Sequence, residues 1–440
     1  MRHRLNRCDY HFLTLQRSAI DATSCRFKAT MGFDVEGEIA ADDLRARVIR
    51  VLRELPVLAG RLRFSPILAR PAWQVDDHAP VSGDVCRFDD LTVDANAVAA
   101  ADAAMERVAS GPIDLATPPI VRVHHIRTRE FDRVLLAWPH PLMDGQGGYH
   151  VLRRLAGATN GDRSSDVSAG ADAATLNMSL LTRVSRAMNG YRAQRAVSRI
   201  QTRQPLTGSI DGVGRVRFAR RLDASNSFET IATAAKRLTP PGPGLYARHL
   251  AACTIRALRR LYDSHGWTSP NYAISFPMRP GGLTAAAQPL GNYLVAAALK
   301  ISHDIALDWP RLGEAIASQV NAFSKTGADL DQWALLWASS LMRPGQYHAM
   351  MKSSVAMTPL ISGYSYFQAE DANPIDRFLD RPIARMLFGG VVTIPPGWNP
   401  AFWRHGSRIS MTLAWPMGFI ADELAVEFAD LIESEALGAP

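Results

Sequence analysis

The stretch Trp138-Pro139-His140-Pro141-Leu142-Met143-Asp144-Gly145-Gln146-Gly147-Gly148 constrains this chain more than any other. Before it lies Asp132-Arg133-Val134-Leu135-Leu136-Ala137-Trp138, an apolar run that reads as a strand entering a core. After it, Gln146 to Leu155 reads as the start of a helix. The pattern predicts strand, turn and helix, with His140 where the strand stops. Asp144-Gly145 suits the tight turn, because glycine tolerates backbone angles that other residues avoid. Strand ends on a rigid scaffold often carry chemistry. Imidazole is the side chain best matched to taking a proton near neutral pH. An aspartate buried in such a turn needs a cationic partner.

The chain has 440 residues, 47% hydrophobic and 21% charged, an ordinary globular composition with length for two domains of roughly 200 residues each. Cys8, Cys25, Cys86 and Cys253 are scattered and share no short spacing. They point to neither a zinc site nor a disulfide framework, and they suit a reducing, cytoplasmic compartment. The basic start Met1-Arg2-His3-Arg4-Leu5-Asn6-Arg7 is not followed by a continuous apolar segment, so no secretory leader is expected. No run of about 18 apolar residues predicts a spanning helix. The net charge of +7 is spread along the chain. No helix-turn-helix, zinc-finger or RNP-type pattern supports a nucleic-acid partner. The balance suits phosphates, an acidic protein partner or an anionic membrane.

Along the chain, Cys25 to Ile39 alternates as a strand through Met31, Phe33 and Val35. Leu44, Val48, Val51, Leu52 and Leu55 then fall at helical spacing. Apolar pieces follow around Pro71 to Val75, then a helix over 98–109 and strands over 120–126 and 134–138. A polar, small-residue stretch from Gly157 to Ala174 reads as a linker. The next helix carries Arg183, Arg186, Arg192, Arg195, Arg199 and Arg203; the last four are spaced to share one face. That face reads as solvated, or as a patch for a carrier protein or a membrane surface. The second half opens with Arg217 to Asp223, then helices over 228–238 and 245–262 around a Pro/Gly turn, Pro240 to Gly244. A strand from Tyr272 ends at Arg279, and Gly291-Asn292-Tyr293 opens another apolar run, Leu294 to Ile301. An alternating strand, Arg408 to Trp415, and a helix over 421–437 close the chain. The domain reading is 1–160 for a first half, 161–212 for linker and basic helix, and 213–440 for a second half.

These phrases, in this order, resemble the CoA-dependent acyltransferase superfamily. That group includes chloramphenicol acetyltransferase, the plant BAHD enzymes, wax ester synthases and peptide-synthetase condensation domains. His140 to Gly145 matches its HxxxDG pattern, and Pro56 to Leu62 and Ser110 to Pro119 are similar to the phrases that precede it. Arg279 with Gly291-Asn292-Tyr293 resembles the second-half phrase, and Ser362 sits in a segment similar to a strand along the tunnel. The resemblance implies an α/β fold of two chloramphenicol-acetyltransferase-like sandwich halves, a pseudo-dimer with a substrate tunnel between them, in a single chain able to work as a monomer. It implies His140 as the catalytic base, with Asp144, Gly145 and Arg279 as structural support, Arg279 pairing with Asp144. Trp138, Gln146, Gly148, Asn292 and Ser362 are the candidate tunnel residues. Met143, Trp333, Trp337, Met342, Met350 and Met351 are candidates for apolar walls, with ordinary core as the other reading.

Four departures bear on the activity. Pro139 stands where condensation domains carry a first histidine, which moves the reading toward a free-standing acyltransferase. Gly363-Tyr364 replace an Asn-Val pair, the Pro/Gly turn at 240–244 replaces a Thr-Asn-Asp turn, and Leu387-Phe388-Gly389-Gly390 stands where BAHD enzymes carry DFGWG. The resemblance implies transfer of an acyl group from acyl-CoA or an acyl carrier protein to a hydroxyl or amine of a small molecule or lipid, with the thioester as co-substrate and no bound cofactor. Gln146, the Gly147-Gly148 amides and Ser362 are candidate oxyanion donors. The alternatives are a condensation-like enzyme repurposed for amide formation or cyclisation, and a non-catalytic docking protein of the same fold. No Gly-x-Ser-x-Gly elbow or glycine-rich phosphate loop is present. Sets drawn from His140, Asp144 and His150, or from His124 and His125, lack convincing metal-ligand spacing, so no metal is expected.

Overall fold

The computed structural model describes residues 2–19, 24–25, 28–64, 71–75, 85–157, 178–203, 215–224, 226–281, 290–343, 345–347, 349–350, 360–368, 375–390 and 397–438. The linker stretch beyond Gly157 and Met351 lie outside them.

The strand before the turn is Phe131–Pro139, and every residue of it is buried. It is uniformly apolar after Arg133 because both of its faces are covered. Val134, Leu136 and Trp138 pack with Leu44, Val48, Val51 and Leu52 of the helix Ala41–Glu54 and with Val151, Leu152 and Leu155 of the helix Gly145–Ala156. Leu135 and Ala137 face Ala101, Ala104 and Met105 of the helix Ala97–Ser110. The sheet has six strands, in the order Arg377–Phe378, Arg381–Gly389, Lys28–Glu36, Phe131–Pro139, Arg122–Arg127, Cys86–Asp90. Neighbours are antiparallel except the last pair. Two of the six strands come from late in the chain, so the second half completes the sheet of the first.

The second half has a four-stranded sheet, Val216–Arg221, Arg408–Pro416, Asn399–His405 and Ser365–Gln368. A hairpin, Asn271–Met278 with Val295–Ser302, joins the 361–363 segment through Ile361 N–H to Ala273 O (2.7 Å) and Ser275 N–H to Ser362 O (3.1 Å). The helix Leu245–Ser264 is buried along most of its length in this core, and the helix Asp422–Leu437 closes it. The molecule is thus an α/β structure of two halves, as expected.

The halves are also joined by an ion network whose centre is buried. Arg133 is fully buried and grips Asp34 with two nitrogens, at 2.6 and 3.0 Å, and Asp102 at 2.7 Å. Arg220, from the second half, reaches Asp102 at 2.6 Å. Arg385, on the strand that crosses over, reaches Asp34 at 3.1 Å and Asp223 at 2.8 Å. Buried charges persist only when paired with good geometry, and the planar fork of arginine provides it.

The basic helix runs Leu180–Val197, shorter than expected. Arg199 and Arg203 lie past its end, so the predicted face of four arginines holds only Arg192 and Arg195 within the helix. Arg203 instead lies over the Trp267 ring, 5.5 Å from its centroid. Among the described residues no helix is long and apolar enough to cross a membrane.

Replacing Asp34 by alanine leaves the buried Arg133 and the partly buried Arg385 short of a counter-charge. We expect a loss of about 3–5 kcal/mol in urea unfolding; a loss below about 1 kcal/mol would show that the network does not hold the halves.

Candidate active site

The turn after Phe131–Pro139 is pinned through several of its backbone groups, since buried polar atoms need partners. Leu142 N–H bonds to Pro139 O at 2.9 Å, and the Trp138 indole N–H bonds to Met143 O at 2.9 Å. Asp144 then caps the helix Gly145–Ala156, its Oδ1 accepting from the N–H groups of Gln146 and Gly147, both at 3.0 Å. This is the ordinary reason for aspartate before a helix. Burial pushes the Asp144 carboxyl above its usual pKa; the charge of Arg279 and the amides of Gly147, Tyr293 and Gln146 pull the other way.

The second half grips the turn. Asp144 N–H bonds to Gly291 O at 3.1 Å, and the Asn292 side chain donates to His140 O at 2.7 Å. Asn292 is fully buried. Its Nδ2 and its backbone N–H both reach Asp9 Oδ1, each at 2.8 Å. Asp9 opens the helix Arg7–Ala19, where Asn6 and Asp9 form a capping box: Asp9 N–H to Asn6 Oδ1 at 2.8 Å and Asn6 N–H to Asp9 Oδ2 at 3.0 Å. Phe12 of the same helix lies against His140, with ring centroids 4.1 Å apart. His140 is half-buried, and burial lowers its pKa to about 4, with the Asn292 side chain and the residue's own backbone opposing the fall. The ring is therefore neutral at pH 7 and able to accept a proton.

Two glycines in the first turn of the helix Gly145–Ala156 are required by close approach. A Cβ on Gly145 would lie 2.2 Å from the Phe367 ring, which comes from the second half and packs on Phe388 and Trp403. A Cβ on Gly148 would lie 2.4 Å from the Trp138 ring.

The structure thus gathers His140, Asp144, Gly145, Gln146 and Asn292, with Arg279 acting on Asp144. Arg279 does so through its field: among the described residues the two make no ion pair, and Asp144 Oδ1 is engaged by the amides of its own helix. Trp138 is fully buried under the turn and supports it from the core. Met143 and Trp333 are core residues too. Ser362 is fully buried, its hydroxyl donating to Gly363 O at 2.7 Å. The Gly147 and Gly148 amides are taken by Asp144, at 3.0 Å each. Of the expected oxyanion donors, the half-exposed side chain of Gln146 is left. His150 accepts from Arg154 at 3.0 Å, and His125 pairs with Asp132 at 2.8 Å, so neither joins His140. Asp9, Phe12 and Phe367 were not read as site residues. The Asn6-x-x-Asp9 spacing signals a helix start, and nothing local signals its distant partner.

No protein-family model matches the chain, and no curated protein matches it in sequence. Solved structures match it over its whole length. The first condensation domain of the CDA synthetase aligns at 16% identity and a TM-score of 0.66, over 100% of this chain and 96% of that one. A variant of the starter condensation domain of rhizomide synthetase RzmA, in complex with C8-CoA, aligns at 14% and 0.66, over 99% and 95%. The SgcC5 protein from Streptomyces globisporus aligns at 11% and 0.68, over 98% of each. The chain has the condensation-domain fold, with its two chloramphenicol-acetyltransferase-like halves.

Gly145→Ala should destabilise the protein by about 1–3 kcal/mol in thermal or urea unfolding, the range for overpacking. Phe367→Ala in the same chain makes room for the methyl group, so the second cost should be less than additive. Additive costs would show that the two residues do not meet.

Proposed function

We propose that this protein is an acyltransferase that moves an acyl group from a thioester to a hydroxyl or amine of a small molecule or lipid, with His140 as general base. The observation that carries it is a neutral, half-exposed imidazole at the seam of two halves, on a turn whose backbone both halves hold. The acceptor attacks the thioester carbonyl as His140 takes its proton. The carbonyl oxygen becomes an oxyanion facing the Gln146 side chain. Collapse expels the thiolate, which takes the proton back from the imidazolium and leaves as the free thiol. No acyl-enzyme is needed, because the thioester arrives activated and the two substrates are held together. The co-substrate is acyl-CoA or an acyl carrier protein. The complex of RzmA with C8-CoA, in a protein of the same fold, supports a thioester at this site. A single chain that holds both halves can act as a monomer.

Acceptor-dependent thiol release from a panel of acyl-CoAs and acyl carrier proteins tests this. Wild type should turn over, and His140→Ala should lose about 100- to 10,000-fold while staying folded. Because the imidazole pKa is lowered to about 4, kcat/KM should rise with pH through about 4 and show no step near 6.5 from this group. Release unchanged by His140→Ala would remove the assignment, and an amide or cyclised product would move it to the repurposed condensation reading. No release with any pair from folded protein would favour the docking protein.

A second observation bears on where the acceptor is met. On the helix Leu180–Val197, Leu181 is 83% exposed, and Val184, Met188 and Tyr191 follow it at helical intervals, each nearly half exposed. Arg195 continues that stripe, and Arg192 flanks it. Neither arginine makes an ion pair among the described residues. The opposite face sits on the helix Ala328–Ser339 through Gly190, with Arg186 bonded to Asp331 at 2.9 Å. Large apolar side chains beside free arginines suit a helix lying in an anionic membrane interface, with arginine stems crossing the apolar layer. We therefore propose a lipid acceptor taken at that surface. The protein should sediment with phosphatidylglycerol vesicles and not with phosphatidylcholine ones, and Leu181→Asp with Met188→Asp should abolish this. Wild type that ignores both vesicles and binds an acyl carrier protein instead would replace the membrane by the carrier.

A further inference from the structure

Asp9 is an expensive residue. It is buried, and no cation pairs with it among the described residues. The groups that face it are Cys8 and Asn6 of its own segment, Asn292 of the second half, and the Asp144 carboxyl of the turn. Burial pushes its pKa up to about 7, against the hydrogen bonds from Asn292 and Asn6. An apolar residue would serve packing at lower cost, and places where a chain breaks a local rule are often functional.

We infer that Asp9 is a positioning residue for His140, acting through Asn292 to fix the backbone from which the imidazole projects. Asp9 Oδ1 takes both the backbone N–H and the side-chain N–H of Asn292, so it locks that residue at two points. The same Nδ2 also holds His140 O. Without the carboxylate, Asn292 is free to turn its amide, and the His140 carbonyl loses its donor. The capping box with Asn6 fixes the carboxylate in turn. Phe12, three residues on and on the same helix face, rests on the His140 ring. One helix start therefore sets both the backbone and the ring of the base.

This inference rests on reading His140 as the base, so the test separates the two. Asp9→Ala, Asp9→Asn, Asn292→Ala and the Asp9→Ala/Asn292→Ala pair are compared with wild type and His140→Ala in the full-length protein. In thiol release, Asp9→Ala should lower kcat about 10- to 100-fold with KM little changed, the effect of a misaimed group. Asp9→Asn keeps the Oδ1 acceptor and should recover most of the loss. The double variant should be no slower than Asn292→Ala alone, since both act through one chain of bonds. Independently of turnover, the His140 ring signal in histidine-labelled NMR, assigned by its loss in His140→Ala, should shift in Asp9→Ala and Asn292→Ala. If Asp9→Ala does not fold, Asn292→Ala and Asp9→Asn carry the same comparison. An unmoved His140 signal, or additive kcat losses, would overturn the role of Asp9. Activity that survives His140→Ala would instead overturn the base, and the NMR arm would still decide Asp9.

Discussion

The site depends on one grip: the 291–293 segment of the second half holds the 140–144 turn of the first. Each hydrogen bond in it contributes only about 1 kcal/mol net. Their joint effect is geometric, because a turn between a strand and a helix has no regular ladder of its own. Asp144 N–H and His140 O would be orphaned without Gly291 and Asn292, and an orphaned buried group costs more than the bond it lost contributes. The backbone that carries His140 is therefore held at these points only while the halves are docked. The halves are tied by the pairing of Arg381–Gly389 with Lys28–Glu36 and by the Arg133–Asp34 ion pair, extended to the second half by Arg220 and Arg385.

Features with short-range causes were legible in the sequence. The helix Ala41–Glu54 buries Leu44, Val48, Val51 and Leu52, as its spacing requires. The strand, turn and helix around His140 stand where the apolar run, Asp144 and the glycines put them. The fold class came from the family resemblance that the motif phrases carry in their order. Features with long-range causes were not legible. Arg133 sits in a strand read as apolar, and the Asp34 and Asp102 that make its burial tolerable lie in other segments. Trp138, a candidate tunnel residue in the sequence, is fully buried in the core cluster, and the alternation of a strand does not say what covers each face. The basic face expected to reach Arg203 ends with the helix at Val197, since charge spacing carries no stop signal.

Asp144 and Asp9 show how two buried carboxylates divide one task. Asp144 turns inward to its own helix, with Arg279 supplying a field from nearby. Asp9 turns outward across the seam to Asn292, with no cation beside it. The first stabilises a turn that the local sequence already encodes. The second connects parts of the chain that only the folded state brings together, and its raised pKa reflects that cost.

The strand Arg381–Gly389 pairs with Lys28–Glu36, Gly32 standing opposite Leu387. A ribosome emits the chain from the amino end, so the earliest sheet waits with an open edge until almost the last strands emerge. During that wait, Lys28–Glu36 offers unpaired backbone to whatever is near, a template for wrong partners. Closing so long a loop is also slow, because its entropy is lost before the pairing repays it. Biogenesis of this molecule therefore has a vulnerable interval set by topology, in which a chaperone covering that edge has more to protect than any exposed side chain of the finished protein.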